Sequence, residues 1–262
     1  MDHPHCASWR LLYPKTMIDF SIALVVATFF AAGLVKGVSG MGLPTVAMGV
    51  LGGLISPLAA ASLLLVPSFV TNVWQLFAGP NLGALLRKLW PMMLAIVAGT
   101  ITGSFLLAGD DTRVTTAALG VALVAYSLYT LFARQLRITD RLEPRLSPLV
   151  GVATGLVGGG TGVFVIPAVP YLQALGLQKD DLVQALGLSF TISTIALGTG
   201  LAWHGVLQLD SLALSSMAII PALGGMWAGQ ALRSRISPSS FRRGFLVALL
   251  ILGTEMASRV MF

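Results

Sequence analysis

Gly33-Leu34-Val35-Lys36-Gly37-Val38-Ser39-Gly40-Met41-Gly42-Leu43-Pro44 interrupts an apolar run near the start of the chain. The interruption recurs as Gly155-Leu156-Val157-Gly158-Gly159-Gly160-Thr161-Gly162-Val163-Phe164-Val165-Ile166-Pro167. Gly33 pairs with Gly155, Gly37 with Gly159, Ser39 with Thr161 and Gly40 with Gly162, an offset of 122, and Pro44 pairs with Pro167 after a slip of one residue. Later, Gly99 and Gly103 pair with Gly225 and Gly229 at an offset of 126, both at GxxxG spacing. Self-similarity of this kind divides the chain into two halves of similar length.

The surroundings of these segments set the class. Of 262 residues, 56% are apolar and only 10% are charged, and the mean hydropathy is +0.87. A soluble domain carries roughly 25% charge, so a soluble fold of this size is excluded. Disorder needs low hydrophobicity and high charge, and a disulfide scaffold needs more than the single Cys6. A polytopic membrane protein remains. Gly37–Leu86, Leu146–Gln178, Leu182–Leu209 and Ser211–Leu232 contain no Asp, Glu, Lys or Arg, and a spanning helix needs about 20 such residues. The runs do not alternate as barrel strands do, and they are rich in the small residues that pack helices in lipid. The expected fold is therefore all-α, a transmembrane helical bundle. Its full-length candidate spans are Asp19–Val35, Pro57–Ala78, Leu89–Ala108, Thr112–Ala133, Asp181–Trp203, Ser211–Leu232 and Phe241–Met261. The last carries Glu255 and Arg259, spaced for an i,i+4 pair. Met41–Ile55 is shorter, and Pro148–Gly176 is split by Gly158–Gly160.

Basic residues decide sidedness. With Arg134, Arg137, Arg141 and Arg145 in the cytoplasm, counting crossings outward places Arg87, Lys88, Lys179, Arg233, Arg235, Arg242 and Arg243 there too, eleven of the 16 basic residues. The count closes only if Asp19–Val35 with Met41–Ile55, and the two parts of Pro148–Gly176, each leave and return to one side, as two short spans or a re-entrant hairpin. Each half then has three full crossings plus one paired element, so the halves are inverted, a recurrent plan of secondary transporters. The expected organisation is a polar leader at 1–16, a first repeat at 17–134, a basic cytoplasmic linker at 135–147 and a second repeat at 148–262. The change in composition after the leader is the ground for expecting translation to begin at Met17. The leader lacks the apolar stretch of a signal peptide.

Irregular backbone at membrane depth is tolerated where it is buried in protein or lines a wet cavity. A short helix starting after each break would turn free N–H groups and a positive dipole end into such a cavity. The residues expected at an anion site are Lys36, Gly37, Ser39, Gly40, Gly42, Pro44 and Asn72 from the first half, with Gly158, Gly159, Gly160, Thr161, Gly162 and Pro167 from the second. The alternative is that these glycines only permit tight helix packing and a turn. Lys36 is the one basic residue between the first two apolar runs. An ionisable group there is costly and functional by default; the competing reading is snorkelling.

On the residues of both glycine segments the chain resembles the sulfite exporter TauE/SafE family of membrane transporters, over nearly its whole length from about Met17. The resemblance implies an integral inner-membrane protein with two repeated halves that moves small, often sulfur-containing or carboxylic anions. The first segment departs from the usual glycine-richer pattern, with Lys36, Ser39 and Met41 among its glycines, and the motifs speak for the fold more than for the substrate.

Other features are weaker. Ser68, Thr71 and Gln75 share a helical face with Asn72 beside them, and Gln184, Ser189, Thr191, Ser193 and Thr194 answer them in the second half; interhelical hydrogen bonding is the expected role. His204, beside Trp203, suits an aromatic belt. No carboxylate falls at the centre of a span. His3, His5 and Cys6 are a weak metal set, and P-loop, GxSxG and HExxH motifs are absent. We expect no enzyme activity, no cofactor and no metal. The net charge of +6 resides in short loops, not in a nucleic-acid stripe. The expected partners are a small anionic solute and the lipid bilayer, no nucleic acid, with a homo-oligomer left open. The function expected is a multi-pass inner-membrane secondary transporter of a small anion; a scaffold subunit and an anion channel are the alternatives. A reporter fused at Asp140 should read cytoplasmic and one at Leu207 extracytoplasmic; the reverse pattern overturns the topology.

Overall fold

A computed structural model describes residues 15–109, 111–132, 137–139, 141–207, 209–233, 235 and 237–259. His3, His5, Cys6 and Arg10 of the leader, and Arg134 and Asp140 of the linker, lie outside the described residues. The described chain is all-helical. Its helices are α1 (Lys15–Ser39), α2 (Leu43–Leu54), α3 (Pro57–Leu76), α4 (Leu82–Ala108), α5 (Thr112–Phe132), α6 (Glu143–Thr161), α7 (Ala168–Ala174), α8 (Lys179–Trp203), α9 (Leu209–Met217), α10 (Ile219–Leu232) and α11 (Pro238–Ser258). Six segments are long and apolar enough to cross a membrane: Ile22–Ser39, Pro57–Leu76, Leu82–Ala108, Thr112–Phe132, Lys179–Trp203 and Leu212–Leu232. Exposed Trp74, Phe105, Phe132, Ile220, Trp227 and Ile251 suit a surface solvated by lipid rather than water. Helix α11 carries Arg242, Arg243 and Glu255 and is not among the six.

Two local expectations need correction. Helix α1 does not stop at Val35; it continues through Lys36 and Gly37 to Ser39. Gly158–Gly160 do not split the second run either, because they lie inside α6, and the chain breaks only at Gly162. Glycine in lipid permits close helix contact, and that use wins over breaking here. The candidate span Ser211–Leu232 is kept as Leu212–Leu232, with its helix interrupted at Ala218. Pro221 accounts for this, since its ring excludes the helical bond to Met217 O.

The two true breaks are built alike. Gly40 N donates to Lys36 O and Gly162 N to Gly158 O, both at 2.7 Å. Gly40 has φ 80° and Gly162 φ 71°, the left-handed helix stop that glycine takes without strain. Ser39 Oγ donates to Val35 O and accepts from Met41 N. Thr161 Oγ1 donates to Val157 O and accepts from Val163 N. Every partner in the second turn lies 122 residues after its counterpart.

The glycine pairs form two backbone seams, between α1 and α10 and between α6 and α4. A Cβ on Gly33 would strike Ala222 O and one on Gly37 Met226 O; on Gly155 and Gly159 it would strike Ile96 O and Thr100 O. From the other side, Gly225 and Gly229 face Phe30 O and Leu34 O, while Gly99 and Gly103 face Val152 O and Leu156 O. All four contacts of one seam recur in the other at offsets of 122 and 126. Helices α3 and α8 run antiparallel between the seams: Gln75 lies at Gly187, Ser68 at Thr194 and Leu65 at Gly198.

Pro67 lies within α3 and cannot donate to Leu63 O. Ser215 of α9 fills the gap: its Oγ donates to Leu63 O at 2.8 Å and accepts from Val66 N at 3.1 Å. Neighbouring glycines provide a test of the seams. Gly225→Ala should lower thermal stability in detergent by about 1–3 kcal/mol through overpacking. Gly224→Ala, whose Cβ meets nothing within 4 Å, should be neutral or stabilising by up to about 1 kcal/mol. Equal melting shifts would remove the seam.

Candidate functional site

The first break opens onto a cavity of about 350 Å³. Val38, Ser39, Gly40 and Met41 line one wall. Lys179 from the start of α8, Arg233 from the C-cap of α10 and Arg242 from α11 supply three cations from three elements, joined by Tyr126 and Gln173. No carboxylate lines the cavity among the described residues. Its volume suits a small ligand, and its lining favours a negative one. Lys179, Arg233 and Arg242 belong to the set that charge counting assigns to the cytoplasm.

One turn back along α1, Lys36 is buried, 2% exposed. Its Nζ donates to Thr71 Oγ1 at 3.0 Å and to Asn72 Oδ1, both on α3. Thr71 Oγ1 in turn donates to Pro67 O. Asn72 Nδ2 donates to Ser68 Oγ at 3.0 Å, and Ser68 Oγ lies 3.3 Å from Thr194 Oγ1 on α8, which itself donates to Phe190 O. A chain of hydrogen bonds therefore runs from the ammonium through α3 into α8. Gln75, one turn further along α3, donates from Nε2 to Gly40 O at 2.6 Å. It ties the break to the same helix. Gln184 of α8 closes the end of α3 by donating to Leu76 O and Gly79 O.

The structure gathers some of the expected site residues and separates others. Ser39 and Gly40 line the cavity, and Lys36 and Asn72 do not; Lys36 lies one turn before Gly40 on α1 and pairs with Asn72 on α3. Ser39 is not a free donor, because its hydroxyl is spent on Val35 O and Met41 O. Gly37 rests on the α10 backbone. Gly42 is the N-cap of α2 and Pro44 lies in its first turn. The second-half residues do not reach the cavity. Gly159 rests on α4, Gly160 packs on Leu106, Gly162 on Met48, and Gly158 lies under the Phe164 ring. Thr161 is spent on its turn. Pro167 is the N-cap of α7, which has only seven residues. After Gly162, Val163, Phe164 and Val165 are buried, so the second break is packed where the first is open. The two breaks also sit toward opposite ends of the bundle. The first adjoins the end of α10 and the start of α8, whereas Gly159 lies against the later half of α4.

Sequence reasoning missed the cavity cations. Lys179, Arg233 and Arg242 entered only as markers of sidedness. Their clustering in a single loop-side set was the available signal. Elsewhere, Ser68, Asn72, Gln184 and Thr194 join helices as expected, whereas Thr191 and Ser193 bond back within α8 to Gly187 O and Ser189 O; Glu255 pairs with Arg259 at 2.8 Å, and His204 packs edge-on against Phe105.

Membrane-length helices closing around a cationic cavity define a polytopic helical membrane protein. Residues 25–256 match the family model described as Sulfite exporter TauE/SafE. The chain belongs to that family of membrane transporters. Comparison with curated proteins and with solved structures returned no match.

The Lys36–Asn72 contact can be tested by double substitution. Asn72→Leu should cost about 1–3 kcal/mol by stranding the ammonium, and adding Lys36→Met should restore most of it, since replacing both partners with apolar groups removes the stranded charge. Thermal unfolding in detergent reads both; additive losses would argue against the contact.

Proposed function

We propose that the protein is a secondary transporter that carries a small anion, of the sulfite, sulfonate or small-carboxylate class, across the inner membrane by alternating access. The observation that carries this reading is the cavity of about 350 Å³ at the first break, with three cations and, among the described residues, no lining carboxylate. Ser39 and Gly40 line it, and Lys36, one turn before Gly40 on α1, supplies the charge that an anion entering from the cavity would meet at membrane depth. Asn72 and Thr71 hold that ammonium.

In this reading residues 17–134 and 148–262 are the two inverted halves, joined by the linker at 135–147. The paired seams support it, because one half's contacts recur in the other atom by atom. The antiparallel run of α3 against α8 supports the inversion. Gly158, Gly159, Gly160, Thr161, Gly162 and Pro167 form the matching element, which comes into use when the opposite side opens. The cavity reaches the first break while Phe164, Met48 and Leu106 pack the second; that pattern fits a carrier better than a standing pore.

Purified protein in liposomes should take up labelled sulfite, methanesulfonate or acetate with saturating kinetics and exchange it for unlabelled anion. Lys36→Ala should cut flux about tenfold or more with membrane insertion intact, equivalent to about 1.4 kcal/mol of lost anion stabilisation. Arg242→Gln should raise KM several-fold. Non-saturating flux would make the protein a channel, and unchanged flux in both variants would move the site elsewhere.

A further inference from the structure

Lys36 carries the one ionisable side chain in the described part of α1 from Ile22 to Ser39. Its ammonium has three donors. Two of them are met by neutral oxygens, Thr71 Oγ1 and Asn72 Oδ1. Among the described residues no carboxylate pairs with it. The elements around it do not supply one. Helices α2, α3 and α10 contain no ionisable residue. Arg233 follows α10, and α11 brings Arg242 and Arg243 near and Glu255 at its far end, where Arg259 holds it at 2.8 Å. Lys179 and Tyr126 face the cavity, and Asp181, two residues beyond Lys179, accepts from Asn81. Asp180 also follows Lys179 in the first turn of α8, but the charged residues that line the cavity are all positive. An ammonium buried without a counter-charge is costly, and neighbouring cations add to the cost. Two changes relieve it: arrival of an anion, or loss of the proton.

We propose, resting on the anion-carrier reading, that transport is proton-coupled through Lys36: the loaded carrier crosses with an ammonium and an anion, and the empty carrier returns with a neutral amine. The linkage is thermodynamic and reciprocal. An anion at the break stabilises the ammonium, and the ammonium strengthens binding of the anion by the same factor. The lone pair of Nζ takes its proton from hydronium in the cavity, one helical turn away at Ser39 and Gly40; release to water on the other side returns it with the anion. Each cycle moves one proton and one anion in the same direction. The neutral amine keeps a donor for Asn72, so the hydrogen-bond chain to α8 survives the empty step.

The test uses the full-length protein in liposomes with the membrane potential clamped at zero by potassium and valinomycin. The probe is labelled methanesulfonate, whose sulfonate stays ionised throughout the pH range, with sulfite and acetate in parallel. An acidic exterior should drive inward accumulation approaching about tenfold per pH unit, the value for one proton per anion, and a trapped dye should report acidification of the lumen on anion addition. In Lys36→Arg, whose guanidinium does not give up its proton, the residual flux should ignore the pH gradient. Saturable wild-type flux with no pH drive and no dye response overturns the coupling and leaves the anion carrier standing. A normal pH drive in Lys36→Arg places the proton on another group. Absence of saturable flux for all three anions defeats the carrier reading and the coupling together.

Discussion

Lipid offers one helix no hydrophobic reason to prefer another, since the acyl chains are as apolar as leucine. What this bundle has instead is backbone against backbone. At Gly33, Gly37, Gly225 and Gly229, and again at Gly99, Gly103, Gly155 and Gly159, a carbonyl of the facing helix occupies the space that a Cβ would need. Close approach of this kind fixes helices in register as well as in contact. Because α1 is locked to α10 up to Gly37, and α6 to α4 up to Gly159, each helix is held to within a turn of its break. Gly40 and Gly162 then stop the helices in the same geometry. The position of the cavity follows from the seam.

The polar interior is arranged around what that geometry leaves unpaired. Pro67 takes a donor away from α3, and the Ser215 hydroxyl returns it. Gln184 meets the last carbonyls of α3, and Gln75 meets the carbonyl of Gly40. These repairs allow an irregular stretch of α3 to sit beside a broken α1 without exposing backbone to lipid, which hydrocarbon does not tolerate. They also bring Thr71 and Asn72 to the buried Lys36 ammonium. The ion pair Lys88–Glu143, at 3.1 Å, joins the starts of α4 and α6. Lys36, in the last turn of α1, is by contrast buried with no carboxylate partner among the described residues.

Composition and charge-free runs were enough to read the class, and the glycine spacing pointed to the matching turns and seams, because both signals are carried by residue identity alone. The site was legible only in part. Lys36 and Asn72 stood out as candidates because an ionisable or amide group in an apolar run is conspicuous. Lys179, Arg233 and Arg242 were not, because each is ordinary in a loop and becomes significant only when three separate elements converge. Gly158–Gly160 misled in the other direction. Three consecutive glycines read as a break, yet their physical use is to let α6 touch α4 and to leave room for Phe164. Nothing in one strand of sequence distinguishes a glycine that bends from one that admits a neighbour.

The twinned turns differ at one telling position. Where the first half has Lys36, the second has Gly158, and the Phe164 ring lies where a side chain would begin. The hydrogen bond from the following glycine, the hydroxyl back-bond and the left-handed stop are all kept. A second lysine there would place another uncompensated cation at membrane depth, at a cost of several kcal/mol. The Lys36–Gly158 difference confines the charge to one of the two turns.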